Sequence, residues 1–225
     1  MKTNKIYIMT ENEFIERFIN NREIESNRYS CLVIALHDAR LLNGRERETG
    51  KHKNIILTSE NDFYDPNSFL GLIGYLILLD MIGGLFVKVG FHSKKSSIYK
   101  TLKQFSNFKD DEIDVIISLR NSLAHNYSLV NIPISDKENK SKLHKFELIF
   151  TQTNFIISIP SESNRWNKDF SNKNEMSSTK INVRALIDEF EDVYQTLKTE
   201  VNNGNVSLLK EISLEELKSR FTIRH

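Results

Sequence analysis

The feature that most constrains the fold is an apolar segment, FLGLIGYLILLDMIGGLFV, which occupies residues 69–87 and carries a single charge, Asp80. A helix of this length can span a bilayer. A carboxylate in the middle of such a span costs roughly 2.5–3.5 kcal/mol on insertion scales. The alternative is a central helix that is apolar on all sides because other helices surround it. We favour the central helix, because the neighbouring segments are amphipathic and need apolar surface to cover.

Four other segments have the apolar spacing of amphipathic helices, and they begin near residues 11, 29, 110 and 183. Between about 127 and 160 the pattern changes to alternation rich in β-branched and aromatic residues, which is typical of strands. We therefore predict a mainly α fold in one domain over residues 1–225. Helices at 11–125 and 180–221 form a bundle, and a small antiparallel β meander at about 127–160 and a mobile polar loop at about 161–179 precede the C-terminal helices.

Charge and cysteine content exclude several classes of function for this 225-residue chain. The formal net charge is +1, so no overall field attracts the molecule to nucleic acid or to a membrane surface, and any nucleic-acid site must be a local patch. Cys31 is the single cysteine, which rules out a disulfide within the chain and favours a cytoplasmic location. No cluster of side chains has the spacing of metal ligands, so we expect no metal and no other cofactor.

One polar cluster, LRNSLAHNY at residues 119–127, ends the apolar helix that begins near residue 110. It brings together Arg120, Asn121, His125 and Tyr127. On a helical projection, Arg120 falls in the middle of an arc of apolar side chains. A long charged side chain is rarely buried without a partner, so Arg120 needs a carboxylate, a second subunit or a bound phosphate.

The Arg-x4-His spacing by itself carries little information, because it occurs three times in the chain. Arg47 and His52 lie in a polar loop that we expect to lack rigid support. Arg220 and His225 lie at the end of the chain, where order is not expected. The surrounding helix therefore distinguishes the motif at residue 120 from the other two.

Asp80 is a lone carboxylate in an apolar helix, and we hypothesise that it meets Arg120 in the bundle and orients the guanidinium. The alternative is an ion pair that only stabilises the fold. His125 likewise has two interpretations. It is either a functional imidazole or only a histidine in the last turn, where the negative end of a helix favours it. Asn121, four residues before His125, either orients the imidazole or is polar surface.

The sequence RNSLAHNY resembles the signature of HEPN domains, which are small helical bundles whose RNA-cleaving members carry an Arg-x4-6-His motif near a helix end. A polar residue often follows that arginine, and some HEPN toxins have a tyrosine two positions after the histidine, as Tyr127 is here. The looser resemblance covers a bundle over about residues 68–125 with a closing helix at 180–202. The β insertion departs from the minimal bundle.

This resemblance implies a metal-independent endoribonuclease of bacterial defence or toxin type, in which the RNA 2′-hydroxyl attacks the phosphorus and leaves a 2′,3′-cyclic phosphate. His125 would then be the general acid or base, Arg120 would stabilise phosphoryl charge, and Asn121 would position the phosphate or the ring. Asp80 and Tyr127 would support them. The family commonly forms homodimers with a composite cleft, and an antitoxin or inhibitor protein is a further possible partner.

RNA binding also needs positive charge near the motif. We predict that Lys94, Lys95, Lys100 and Lys103 contact the RNA backbone, unless they form only a solvated face. Trp166, in the polar loop, is a weaker candidate for stacking on a base. The competing interpretations are a non-catalytic RNA-binding or dimerising HEPN-like scaffold, and a small membrane protein anchored by residues 69–87.

Overall fold

A computed structural model of the protein describes residues 9–53, 68–133, 142–151, 153–171 and 174–224. These residues form seven α-helices: α1 (Glu11–Asn20), α2 (Cys31–Leu42), α3 (Phe69–Leu85), α4 (Ser97–Phe105), α5 (Asp110–Asn126), α6 (Val183–Asn202) and α7 (Leu214–Arg220). They also form short strands: β1 (Glu23–Glu25), β2 (Arg28–Ser30), β3 (Phe86–Lys88), β4 (Val130–Asn131), β5 (His144–Ile149), β6 (Ile157–Ser158), β7 (Thr179–Asn182), β8 (Val206–Leu208) and β9 (Thr222–Arg224). The predicted mainly helical fold is confirmed.

The apolar segment forms α3, which lies at the centre of the bundle and contacts α2, α4, α5 and α6. Leu72, Leu76 and Ile82 are among its fully buried side chains. The prediction of a central helix is therefore confirmed. Within the described ranges, no helix combines the length and the apolarity that crossing a membrane requires.

Close packing explains one of the glycines in α3. A Cβ atom added at Gly83 would lie 1.9 Å from the carbonyl oxygen of Ser97, at the start of α4. No side chain fits there, so glycine at this position lets α4 pack directly against α3. Ser68 begins α3 as a cap, because its hydroxyl accepts a hydrogen bond from the backbone N–H of Gly71 at 3.0 Å.

The predicted antiparallel meander is correct for its first pair, since β4 and β5 pair antiparallel, and wrong beyond that pair. The four-stranded sheet has the order β4-β5-β7-β6, and β5 and β7 run parallel. The strand β7 lies within residues that we assigned to the end of the polar loop and the start of a helix. Its side chains alternate, with Thr179 and Ile181 buried, and it inserts between β5 and β6 after a long crossover. A four-residue strand adjoining a strong helical pattern has too few alternating positions to be separated from that helix by periodicity.

The loop at 161–179 contains a second departure from expectation. Trp166 is 2% exposed, and its indole N–H donates to the carbonyl oxygen of Asp169 at 2.9 Å. It anchors the loop from inside, so it does not offer a face to a base. The C-terminal residues also depart from expectation, because β9 pairs with β2 instead of ending in an unpaired tail.

Candidate active site

The polar cluster occupies the C-terminal part of α5, and α3 supplies the carboxylate that faces it. The Nη2 atom of Arg120 donates to the Oδ2 atom of Asp80 at 2.6 Å. The two residues are 40 positions apart in the chain, and they meet because α3 and α5 pack side by side. The predicted contact between Asp80 and Arg120 is confirmed.

Arg120 also contacts the two other polar residues of the motif. Its Nη1 atom lies 3.0 Å from Nε2 of His125 and donates to Oδ1 of Asn121 at 3.3 Å. A guanidinium has only donor hydrogens, so Nε2 of His125 must accept in this contact. Asp80, Arg120 and His125 form one continuous chain of contacts that ends on a ring able to accept a proton.

The exposure of these groups leaves the site open to a ligand. The side chain of Arg120 is 25% exposed and that of Asp80 is 32% exposed, whereas His125 is an exposed residue. The rest of α5 is firmly anchored, since Ile116, Leu119 and Leu123 are fully buried. A rigid, buried helix thus presents a partly desolvated guanidinium and an accessible imidazole at one surface.

Tyr127 is the residue that ends α5, and the expectation that it begins a strand is wrong. Its backbone is left-handed, with φ of 47° and ψ of 40°, and its N–H donates to the carbonyl oxygen of Leu123 at 3.2 Å. This helix-ending conformation favours glycine, so an aromatic residue is unusual there. The ring is 68% exposed and lies 6.1 Å, centroid to centroid, from that of Phe69 at the start of α3.

Two of the predicted RNA-binding lysines are held at the opposite end of α5. Lys103 Nζ lies 2.8 Å from Asp110 Oδ1, and Lys95 Nζ lies 3.9 Å from Asp110 Oδ2. Asp110 precedes Arg120 by ten residues, or about 15 Å along a helix. The hydrogen bond from Lys103 holds the pKa of the Asp110 carboxyl below its ordinary value. Lys94 is exposed and Lys100 is partly buried, and among the described residues neither side chain forms an ion pair with the motif.

The C-terminal segment lies beside the candidate site. A cavity of about 360 Å³ lies beside Asp80, and Arg220 and Phe221 line it together with α3 residues. The Arg220 guanidinium lies 5.2 Å from the centroid of the Phe221 ring. The expectation that Arg220 lacks order is wrong, because β9 pairs with β2 and holds this segment in place. His225, the other member of that spacing, lies outside the described residues.

A second arginine centre lies between α2 and α6. It overturns the expectation that the loop around Arg47 and His52 lacks rigid support. Arg40 donates from Nε and Nη2 to the two carboxylate oxygens of Glu191 at 2.8 and 2.7 Å. Its Nη1 donates to two carbonyl oxygens of the loop, those of Arg47 and Glu48, each at 2.9 Å. These contacts hold the loop closed against α2 and α6.

Arg45 completes this second centre. It is 3% exposed, donates to the carbonyl oxygen of Gly50 at 2.9 Å and forms an ion pair with Asp188. Its Nη2 lies 3.0 Å from Nε2 of His52. Burial, together with the nearby charges of Arg45 and Arg184, lowers the pKa of His52. Arg40 and Arg45 are buried and each is paired with a carboxylate, so the cluster stabilises the fold, and Asp188 lies at its half-exposed edge.

Within the described ranges, no group of three or more His, Cys, Asp or Glu side chains is placed to hold a metal ion. Comparisons of the chain with protein-family models, with curated proteins and with solved structures find no match.

Proposed function

We propose that this chain is a HEPN-type endoribonuclease that cleaves RNA without a metal ion and leaves a 2′,3′-cyclic phosphate. The observation that carries the proposal is the chain of contacts from Asp80 through Arg120 to His125. This chain of contacts places the Arg120 guanidinium, which can bind a phosphate, beside the His125 imidazole, which can accept a proton, at one accessible surface. An Arg-x4-His sequence alone does not guarantee that geometry, since Arg47 contacts His37 and not His52.

The reaction begins when a phosphodiester binds Arg120. Its Nη1 atom turns from His125 to a non-bridging phosphate oxygen, which frees Nε2 of the ring. Nε2 then accepts the proton of the adjacent 2′-hydroxyl as the O2′–P bond forms. Arg120 stabilises the charge that develops on the phosphoryl oxygens. The P–O5′ bond breaks, the 5′-oxygen takes a proton from a general acid, and the products are a cyclic phosphate and a 5′-hydroxyl.

Asp80 and Asn121 are positioning residues in this scheme. Asp80 fixes one edge of the guanidinium through Nη2, which leaves Nη1 directed toward His125. Asn121 contacts the same Nη1 atom and limits its rotation. A guanidinium held in this way loses less conformational freedom when it binds a phosphate.

A homodimer supplies the missing general acid in this proposal. In the cleavage step, His125 of one copy has an unprotonated Nε2 and is the base, whereas His125 of the second copy is protonated and donates that proton to the leaving 5′-oxygen. The first ring ends protonated and the second ends neutral, and proton exchange with water restores both. Exposed apolar side chains near the motif support the proposal of a second copy there, because Leu70, Ile77 and Tyr127 are 53%, 46% and 68% exposed. The protein would act in the cytoplasm in defence or as a toxin, with an antitoxin or inhibitor protein as its natural control.

The second candidate is a non-catalytic RNA-binding or dimerising scaffold of the same family. It is supported by the same contacts, because Asp80, Asn121 and His125 already engage both terminal nitrogens of Arg120. A motif that satisfies itself in this way can simply hold α3 and α5 together.

The deciding experiment incubates the purified protein with single-stranded and structured RNA in EDTA, beside an Arg120→Ala plus His125→Ala variant. We expect the parent protein to produce RNA with cyclic-phosphate ends, and the cleavage rate of the variant to be lower by about 10²–10⁴-fold. Arg224→Ala is the matched control, because Arg224 is an exposed arginine on β9 outside the motif. Cleavage that survives the double substitution refutes the site. RNA binding without cleavage by either protein favours the scaffold.

A further inference from the structure

The cavity beside Asp80 has both apolar walls and polar groups. It has a volume of about 360 Å³, and the residues that form it include Asp80, Met81, Gly84, Ser97, Arg220 and Phe221. They come from α3, from the start of α4 and from the end of α7, so a segment more than a hundred residues away in the chain meets α3 and α4 there. The closure of the C-terminal segment onto α3 creates this space.

Asp80 belongs both to this cavity and to the candidate active site. Arg120 occupies its Oδ2 atom, and none of the described residues donates a hydrogen bond to Oδ1. The Asp80 carboxylate therefore lies between the cavity and the Arg120 guanidinium, to which a scissile phosphate would bind. A group that enters the cavity finds a hydrogen-bond acceptor whose position is fixed by Arg120.

The walls indicate the chemistry of the occupant. The carboxylate of Asp80 disfavours a second phosphate, and it favours a neutral group with N–H donors. Met81 and Phe221 supply apolar surface, and the Arg220 guanidinium over the Phe221 ring forms a flat face of the kind on which bases stack. A planar heterocycle with an amino group satisfies all three conditions.

We propose that this cavity is a subsite for the nucleobase next to the scissile phosphate, and that it selects bases with an exocyclic amino group. This inference rests on the proposed function, because the phosphate bound by Arg120 delivers the base. The amino group donates to Oδ1 of Asp80, and the ring lies against Phe221 and Arg220.

The test uses oligomers in which every sugar is 2′-O-methylated, so that the nucleophile is blocked and binding is measured without cleavage. Three otherwise identical oligomers carry adenine, purine without the 6-amino group, or no base. Fluorescence anisotropy with the full-length protein gives their dissociation constants. We expect the purine oligomer to bind roughly tenfold more weakly than the adenine oligomer, and the abasic oligomer to bind more weakly still.

Gly84→Leu is the variant that fills the cavity. An added Cβ at Gly84 would meet only Ser97 Oγ, at 3.6 Å, and replacing glycine within a helix favours the helix. Gly84→Ala adds one carbon and serves as the matched smaller change. We expect Gly84→Leu to bind the three oligomers with equal affinity and Gly84→Ala to retain part of the preference. Thermal unfolding checks that both variants fold.

Equal binding of adenine and purine oligomers by the parent protein overturns the subsite, and that measurement needs no variant. A preference that persists in folded Gly84→Leu overturns it as well. Cleavage of unmodified RNA, measured separately, distinguishes the two proposals. Cleavage without base preference removes the subsite and leaves the nuclease. Base preference that Gly84→Leu abolishes, without cleavage by the parent protein, keeps a base-binding cavity and removes the nuclease.

Discussion

Two arginine–carboxylate pairs in this protein differ in their surroundings more than in their chemistry. The Arg40–Glu191 pair has side chains that are 3% and 10% exposed, whereas the Arg120–Asp80 pair has side chains that are 25% and 32% exposed. Both have short contacts, at 2.7 and 2.6 Å. The first is enclosed by its own loop, and the second faces an exposed imidazole and a cavity. Burial, not the ion pair itself, therefore separates a structural pair from a candidate functional one.

The buried pair is part of a network that leaves no group of Arg40 for a ligand. Tyr75, which is fully buried, donates from its hydroxyl to Glu191, and burial with the nearby carboxylate raises the pKa of that phenol. Burial alone would lower the pKa of Arg40, but the hydrogen bond and charge of Glu191 outweigh it and raise that pKa. The pKa values of Arg40 and Tyr75 thus both depend on Glu191. Removing one member should therefore destabilise the whole fold.

The largest effect is expected from Glu191→Gln, which leaves the buried Arg40 charge without its counter-ion. We expect the free energy of unfolding to fall by about 3–5 kcal/mol, as is typical when one partner of a buried pair is removed. Urea denaturation measures it. Asp192→Asn, the same chemical change at the exposed neighbouring position, should alter stability by less than about 0.5 kcal/mol. Equal effects of the two variants would contradict the distinction between the pairs.

Asp80→Asn should lower RNA cleavage strongly and stability only slightly, in contrast to the large loss of stability expected from Glu191→Gln. Because this pair is partly exposed, we expect a loss of stability below about 1 kcal/mol. The amide positions Arg120 less firmly, so RNA cleavage should fall by roughly tenfold to a hundredfold. Urea denaturation and initial cleavage rates are measured on the same preparation. A large loss of stability with an unchanged cleavage rate would make this pair structural as well.

Tyr127→Gly tests whether the left-handed backbone of Tyr127, near the Arg120–Asp80 pair, is strained because the tyrosine side chain is needed for activity. Glycine relieves the left-handed conformation by about 1 kcal/mol, and loss of the ring contact with Phe69 offsets roughly half of that or more. We expect stability within about 0.5 kcal/mol of the parent protein and slower cleavage. Tyr127→Phe keeps the ring and removes only the hydroxyl. If Tyr127→Gly cleaves RNA at the parent rate, the ring has no role in the site.

The smallest expected effect is the pH dependence of stability that His37 and His52, beside the buried Arg40 and Arg45, produce. Burial is the main cause that lowers the pKa of both His37 and His52 in the folded protein. Between the lowered values and the ordinary value of about 6.5, the unfolded chain therefore binds more protons than the folded one. Stability should decline modestly as the pH falls through about 6.5 and level off below the folded pKa values.

Urea denaturation at a series of pH values measures that decline, and His52→Gln should reduce its slope. A decline that is identical in the parent protein and in His52→Gln would show that His52 does not contribute.

Periodicity and local composition predicted the helical part of the fold well. The apolar stripe that begins near residue 183 became α6, and the apolar run from residue 69 became a buried α3. Arg120 and Asp80 carry opposite charges, and each lies in an apolar stretch of helix where a charge is rarely buried without a partner. This predicted their ion pair. These predictions succeeded because each depended on the environment of one helix face, which the spacing along that helix encodes.

The sheet, the closed loop and the cavity could not be predicted in the same way. The strand β7 is four residues long, and its pairing with β5 depends on a crossover that no local pattern records. Arg45 and Arg47 sit two residues apart in one loop, yet only Arg45 contacts His52 and Asp188. Which of the two faces inward depends on α6, which is more than a hundred residues away in the chain.

The sequence by itself determined the helices, the burial of α3 and the presence of two charges that must be compensated within the bundle. Those properties follow from side-chain hydrophobicity and helical geometry, which act over a few residues. Only the tertiary structure decided which arginine pair is closed and which is open, and that Arg220 and Phe221 complete a cavity beside Asp80. Exposure depends on what packs against a side chain from elsewhere in the chain, and no local pattern specifies that neighbour.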